Sequence, residues 1–113
     1  MRFESQLLRG HLPTILLAVL ERGPLYGYRI AEAVERGSKG LLQIGEGTIY
    51  PALYALEAKG LVRARWQDST SGPPRRYYEL TARGSKSLAR ERETWERFSG
   101  ALESILEPGG SAA

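Results

Sequence analysis

A chain of 113 residues, 42% hydrophobic and 26% charged, has the composition of one soluble domain that buries about two-thirds of its unfolded surface. It has no cysteine and one histidine, His11, which excludes disulfides, thiolate metal sites and a zinc centre; no cofactor and a cytoplasmic location are expected. The net charge of +3 is compatible with a polyanionic partner without deciding for one, and the apolar run from Ile15 to Leu20 is too short to cross a bilayer, so no membrane association is expected.

In chain order, Met1 to Arg9 reads as a short N-terminal arm or helical turn, interrupted at Gly10. Pro13 suits the first position of a helix, where its missing N–H is harmless, and Ile15, Leu16, Val19 and Leu20 make that helix apolar until Gly23-Pro24 stops it. A second helix from about Tyr26 to Arg36 carries a buried stripe of Ile30, Ala33 and Val34, with Arg29, Glu32, Glu35 and Arg36 solvated. Gly37-Ser38-Lys39-Gly40 ends it, and Leu41 to Ile44 reads as a brief strand. The third helix, Gly47 to Lys59, places Ile49, Leu53 and Leu56 on one face and Thr48, Tyr50, Pro51 and Tyr54 elsewhere, before a stop at Gly60.

The pattern then changes period. Leu61 to Trp66 alternates, with Val62, Ala64 and Trp66 on one face and Arg63 and Arg65 on the other. Gln67 to Pro74 is a polar hairpin tip, and Arg75 to Leu80 returns as the second strand with Tyr78 and Leu80 facing one way. Thr81 is the N-cap of a last helix reaching about Leu106. Leu88, Trp95 and Leu102, with Phe98 and Ile105 offset by three and Glu91 at the remaining place, are heptad a and d positions. Such a helix, some 37 Å long, outruns a core this small, so its stripe is expected to meet a second copy of itself.

Three helices followed by a hairpin with a polar tip is the order of a winged helix-turn-helix, in which the third helix enters the major groove and the hairpin tracks the backbone. Thr48, Tyr50 and Tyr54 offer hydroxyls to phosphates or base edges, and Pro51 or Ala52 an apolar contact to a thymine methyl. The same tyrosines would equally serve as half-buried caps on the core. Arg75 and Arg76 flank the tip as phosphate clamps, or as a solvated strand end; Arg63 and Arg65 read as solubilising charges and His11 as a local cap or a satisfied surface histidine. At the start of the second helix, Tyr26 and Arg29 are better placed for DNA than Tyr28, which is expected to face the core. Trp95 and Phe98 read first as dimer packing, and also as flat walls for a planar ligand. No nucleophile–base pair, P-loop or isolated carboxylate pair supports catalysis, and Gly45-Glu46-Gly47 is not a dinucleotide fingerprint, so the chain is not read as an enzyme.

Three blocks, GPLYGYRI (Gly23–Ile30), GTIYPALYALEAKGLV (Gly47–Val62) and RRYYELTARG (Arg75–Gly84), resemble the PadR family of transcriptional regulators, in the branch with a single C-terminal helix. The resemblance implies a mainly α (α+β) fold: a winged helix-turn-helix with a two-stranded wing and a long C-terminal dimerisation helix. It divides the chain into a DNA-binding domain over residues 1–80, a dimerisation helix over 81–107 and a disordered tail over 108–113. It further implies a homodimeric repressor on a palindromic operator in double-stranded DNA, released by a planar aromatic small molecule. Carried over by motif, the DNA-binding residues are Thr48, Tyr50, Pro51 and Lys59, with Tyr26, Tyr28, Arg75 and Arg76; the residues themselves add Arg29 and Tyr54. Tyr26 stands where many members have histidine. Leu88, Trp95, Phe98, Leu102 and Ile105 form the expected dimer interface, and Trp95 with Phe98 the effector site. The alternative is a winged-helix protein-interaction module without DNA binding.

Overall fold

Leu12, Leu16 and Leu20 repeat at the spacing of one helical face, and all three are buried, with Leu17 beside them. In the computed structural model, which describes residues 5–109, they lie on and just beyond helix α1 (Ser5–Val19). That helix starts well before Pro13, which is inside it rather than at its start. Burial of Leu12 against the core, with Leu8 packed beside it, holds the preceding turn in place of the backbone hydrogen bond that proline cannot make. The arm expected at Met1 to Arg9 is therefore helical from Ser5 onward, while residues 1–4 lie outside the described residues.

Two residues, Leu25–Tyr26, form strand β1 before helix α2 (Gly27–Gly37), which buries Ile30 and Val34. The Ser38 hydroxyl accepts from the Leu42 N–H at 2.9 Å, and Lys39 (φ +55°) with Gly40 (φ +83°) reverses the chain. Leu41 to Ile44 is not a strand: its Ile44 drops into the core from an irregular segment. Helix α3 (Glu46–Ala58) buries Ile49, Leu53 and Leu56, as its spacing requires, and Gly60 at φ +76° turns the chain out of it.

The wing consists of β2 (Val62–Ser69) and β3 (Gly72–Leu80), and β1 joins the other edge of β3 to give the order β1-β3-β2. Pairing runs from Val62↔Leu80 to Ser69↔Gly72, so the tip is much shorter than the Gln67–Pro74 loop expected. Prolines 73 and 74 are tolerated because β1 pairs only with Tyr77 and Tyr78, and the ladder to β2 is irregular between Gln67 and Ser69.

Helix α4 (Ala82–Leu106) begins at Thr81, whose hydroxyl accepts from the Gly84 N–H at 3.0 Å and donates to the Gly60 carbonyl at 2.7 Å. The Thr81 N–H donates to the Leu61 carbonyl at 3.2 Å, and Gly84 packs so close to that oxygen that a Cβ would overlap it. Leu88 then enters the core beside Tyr78 and Leu16. Leu88 was expected in a dimer stripe; at 2% exposure it is used up within the chain, because the first two turns of α4 are what close the core. Beyond it the helix runs along α1, tied by Arg92 to Glu21 at 3.0 Å and by the Thr14 hydroxyl to Glu91 at 3.4 Å. The radius of gyration, 16.4 Å, exceeds the about 13 Å usual for a compact chain of this length because α4 projects.

Candidate nucleic-acid interface

Three buried side chains on α3 fix which face it turns outward. Thr48, Pro51, Tyr54 and Lys59 are exposed, and Tyr54 is 52% open. Tyr50 differs. It is half-buried, its hydroxyl lies against Gly27 where a Cβ would overlap it, and its ring sits 6.2 Å from that of Tyr54. Burial, then the nearby Glu46 carboxylate, raises its pKa, so the phenol stays neutral. Gly27 is thus required for the approach of α2 to α3, and Tyr50 is as much a packing residue as an exposed one.

The start of α2 also departs from expectation. Tyr28, expected to face the core, is 57% exposed, because Gly27 and Ile30 take the inward positions of that turn. Arg29 is exposed but pairs with Glu32 at 2.8 Å, and that hydrogen bond raises its pKa further above the usual guanidinium value. Tyr26 is held by the wing: its ring meets Tyr77 edge-on at 5.3 Å, and the Arg75 guanidinium lies 4.5 Å over its face.

The two wing arginines separate. Successive strand residues point to opposite faces. Arg75 is exposed, over Tyr26, whereas Arg76 turns toward α3, where its Nη2 donates to both carboxylate oxygens of Glu57 at 3.1 Å. The Arg76 guanidinium lies 5.6 Å from the Tyr78 ring and 5.9 Å from that of Trp66. Its Nε and the Tyr78 hydroxyl are buried without hydrogen-bond partners. Burial pushes the pKa of the Tyr78 phenol up, against the opposing pull of Arg76. Arg63 pairs with Glu79 at 2.9 Å across the strands. Trp66 keeps the face of Val62 and Ala64, opposite Arg76 in the ladder, but is 66% exposed because beyond Ala64 the wing has left the core.

On α4 an apolar row stands open: Trp95 (49%), Phe98 (58%), Leu102 (41%) and Ile105 (79%). Trp95 meets the His11 imidazole edge-on at 5.2 Å, so His11 packs on α4 rather than capping its own helix. A shallow hollow on the same helix is lined by Arg90, Glu93, Thr94 and Arg97, not by Trp95 or Phe98. Among the described residues, no three His, Cys, Asp or Glu side chains are grouped to hold a metal ion, and no helix is long and apolar enough to cross a membrane.

Sequence and structure comparisons agree with this geometry. The profile of the transcriptional regulator PadR-like family matches residues 16–90. A transcriptional regulator from Clostridium thermocellum superimposes with a TM-score of 0.83 at 30% identity, over 93% of this chain and 99% of that one. A PadR family transcriptional regulator from Eggerthella lenta gives 0.79 at 30% identity, over 92% of this chain and 88% of its own. Bacillus subtilis PadR, solved in complex with operator DNA, gives 0.64 at 25% identity, over 70% of this chain and 45% of that one. With its winged helix-turn-helix built from α1–α3 and the β2–β3 hairpin, the chain belongs to the PadR-like family of transcriptional regulators.

Proposed function

We propose that this chain is a homodimeric, cytoplasmic repressor that reads a palindromic operator in double-stranded DNA and is released by a planar aromatic small molecule. The observation that carries the reading is the outward face of α3: Thr48, Pro51, Tyr54 and Lys59 stand open on a helix whose opposite face is fully anchored. A major groove about 12 Å wide accepts such a helix. Beside it the wing offers Arg75, unpaired with any carboxylate among the described residues, for a phosphate. Tyr28 and Arg29, at the start of α2, supply a second contact to the backbone; Tyr26 contributes through Arg75 and Tyr50 through the seating of α3. The operator complex of the Bacillus subtilis relative supports the same use of the fold.

The open row from Trp95 to Ile105 supports the dimer, since an apolar stripe on an otherwise polar helix is ordinarily covered. A two-fold pair of α4 helices sets the spacing between two copies of α3, and Trp95 and Phe98, 6.2 Å apart, supply flat surfaces to a planar effector.

The test uses a palindromic duplex enriched from a random library by the wild-type chain. Thr48→Ala and Arg75→Ala are each expected to weaken binding by about 1–3 kcal/mol while the dimer persists in sedimentation. If both variants bind the duplex as wild type does, the interface lies elsewhere and the interaction-module alternative gains.

A further inference from the structure

We propose that the Glu57–Arg76 ion pair is a latch that sets the angle of the wing against α3, making Arg76 a positioning residue rather than a phosphate contact. The inference rests on the DNA-binding reading above and adds to it a division of labour between two adjacent arginines. Two features separate Arg76 from Arg75, which also lies over an aromatic ring, that of Tyr26, but meets no carboxylate among the described residues. Its Nη2 is shared between both oxygens of Glu57 at 3.1 Å, so the charge that would face a phosphate is already answered. Its Nε is buried, so the guanidinium is turned inward despite the cost of leaving that donor without a partner. The rings of Trp66 and Tyr78, 5.9 and 5.6 Å away, add to the hold on the side chain beside the sheet, as Tyr26 does for Arg75.

The far half of the wing needs such a device. From Arg65 to Asp68, and again from Gly72 to Arg75, every residue is exposed, and β1 supports only Tyr77 and Tyr78. Among the described residues, the side-chain hydrogen bonds from the wing strands to α3 come from Arg76, and they end on Glu57 in the last turn of α3. With the side chains 32% and 34% exposed, the pair is shielded enough to hold a geometry and open enough to contribute little to overall stability. Arg75, on the opposite face of the same strand, is then delivered to the DNA backbone at a fixed offset from Thr48 and Pro51.

Electrostatics alone makes the opposite prediction for Glu57. Removing a carboxylate near a polyanion should tighten binding, whereas removing a latch should weaken it. The experiment measures the affinity of the enriched palindromic duplex against salt concentration for wild type, Glu57→Gln, Arg76→Ala, Arg75→Ala and the charge reversal Glu57→Arg with Arg76→Glu. Under the latch, Glu57→Gln and Arg76→Ala each weaken binding on the order of tenfold with the salt slope unchanged. The charge reversal recovers part of that loss, and Arg75→Ala flattens the slope by about 0.9 per chain. Thermal unfolding of each variant confirms that the fold persists.

If Arg76→Ala flattens the slope as Arg75→Ala does while Glu57→Gln binds as tightly as wild type or more so, Arg76 touches phosphate and the latch is wrong. Wild-type affinity in both single variants overturns it as well. In both cases wild type still binds DNA, so the broader reading survives. A wild-type chain with no salt-dependent duplex affinity removes that reading and the latch together.

Discussion

Gly84→Ala should be among the most damaging single-methyl changes in this chain. The position is buried at the first turn of α4, and a Cβ there would overlap the Leu61 carbonyl oxygen and come within 3.3 Å of Leu80 Cδ2. The oxygen belongs to backbone already fixed on two sides, by the Thr81 N–H at 3.2 Å and by the Gly60 carbonyl bond to the Thr81 hydroxyl at 2.7 Å. It cannot swing aside as a side chain would. Relief requires lifting α4 from the wing root, which loosens Leu88 from the core and strains the Thr81 cap. Overpacking of this kind costs about 1–3 kcal/mol, and a weakened cap about 1 more. Alanine's better helix propensity returns less than about 1 kcal/mol. A net loss of about 1–3.5 kcal/mol, at roughly 4 °C per kcal/mol for a domain of this size, lowers the unfolding midpoint by about 4–14 °C. The assay is thermal unfolding by circular dichroism at one fixed chain concentration, with Gly100→Ala as the control. Gly100 also lies in α4, but nothing stands within 4 Å of its would-be Cβ, so that variant should be neutral or stabilised by up to about 1 kcal/mol. A Gly84→Ala midpoint equal to that of Gly100→Ala would refute the close packing of α4 on Leu61.

Two further outcomes are expected. Ile105→Glu, at a side chain 79% exposed, should leave the protomer fold intact and, in the proposed dimer, place two unpaired charges in the seam between the α4 helices; it should weaken dimerisation by roughly a hundredfold in analytical ultracentrifugation. A wild-type chain that sediments as a folded monomer contradicts the seam. The hydrogen bond from Arg92 holds the Glu21 carboxyl below its ordinary pKa, so its contribution to stability is present above the usual carboxylate range and is lost as pH falls through the folded-state value. The difference in unfolding midpoint between wild type and Glu21→Gln should therefore be largest near neutral pH and close in acid; a difference that widens in acid contradicts the pairing.

Where the structure and the sequence pattern agree, local physics decides. Ile49, Leu53 and Leu56 share a face because helical spacing puts them there, and Thr81 caps α4 because its hydroxyl reaches the Gly84 N–H. The pattern misleads where partners distant in sequence decide. Pro13 looks like a helix start until Leu8 and Leu12 are seen to pack on the core. Leu88 fits the heptad of Trp95 and Leu102, but whether it faces inward or toward another chain depends on where α4 leaves the domain. Two-residue β1 carries no periodicity at all and exists only because the free edge of β3 is beside it. The candidate site divides in the same way. Thr48, Pro51 and Tyr54 are legible as the face left over after the core is assigned; Tyr28 is misassigned because Gly27 and Ile30 take the inward positions of its turn, whereas Trp66 keeps its expected face but stands beyond the core. Glu57 carries no signal of its own: its partner Arg76 is 19 residues away and reads in sequence as a phosphate clamp, while Glu57 looks like an ordinary solvated charge.

The central claim, that two copies of α3 and two wings engage one duplex, is tested most directly by the affinity of the wild-type chain for its enriched palindrome as a function of salt. Three to five phosphate contacts per chain, doubled by the dimer, give a logarithmic slope of roughly −5 to −9, with two chains bound per duplex. An affinity that does not change with salt, or a complex of one chain per duplex, would contradict the account.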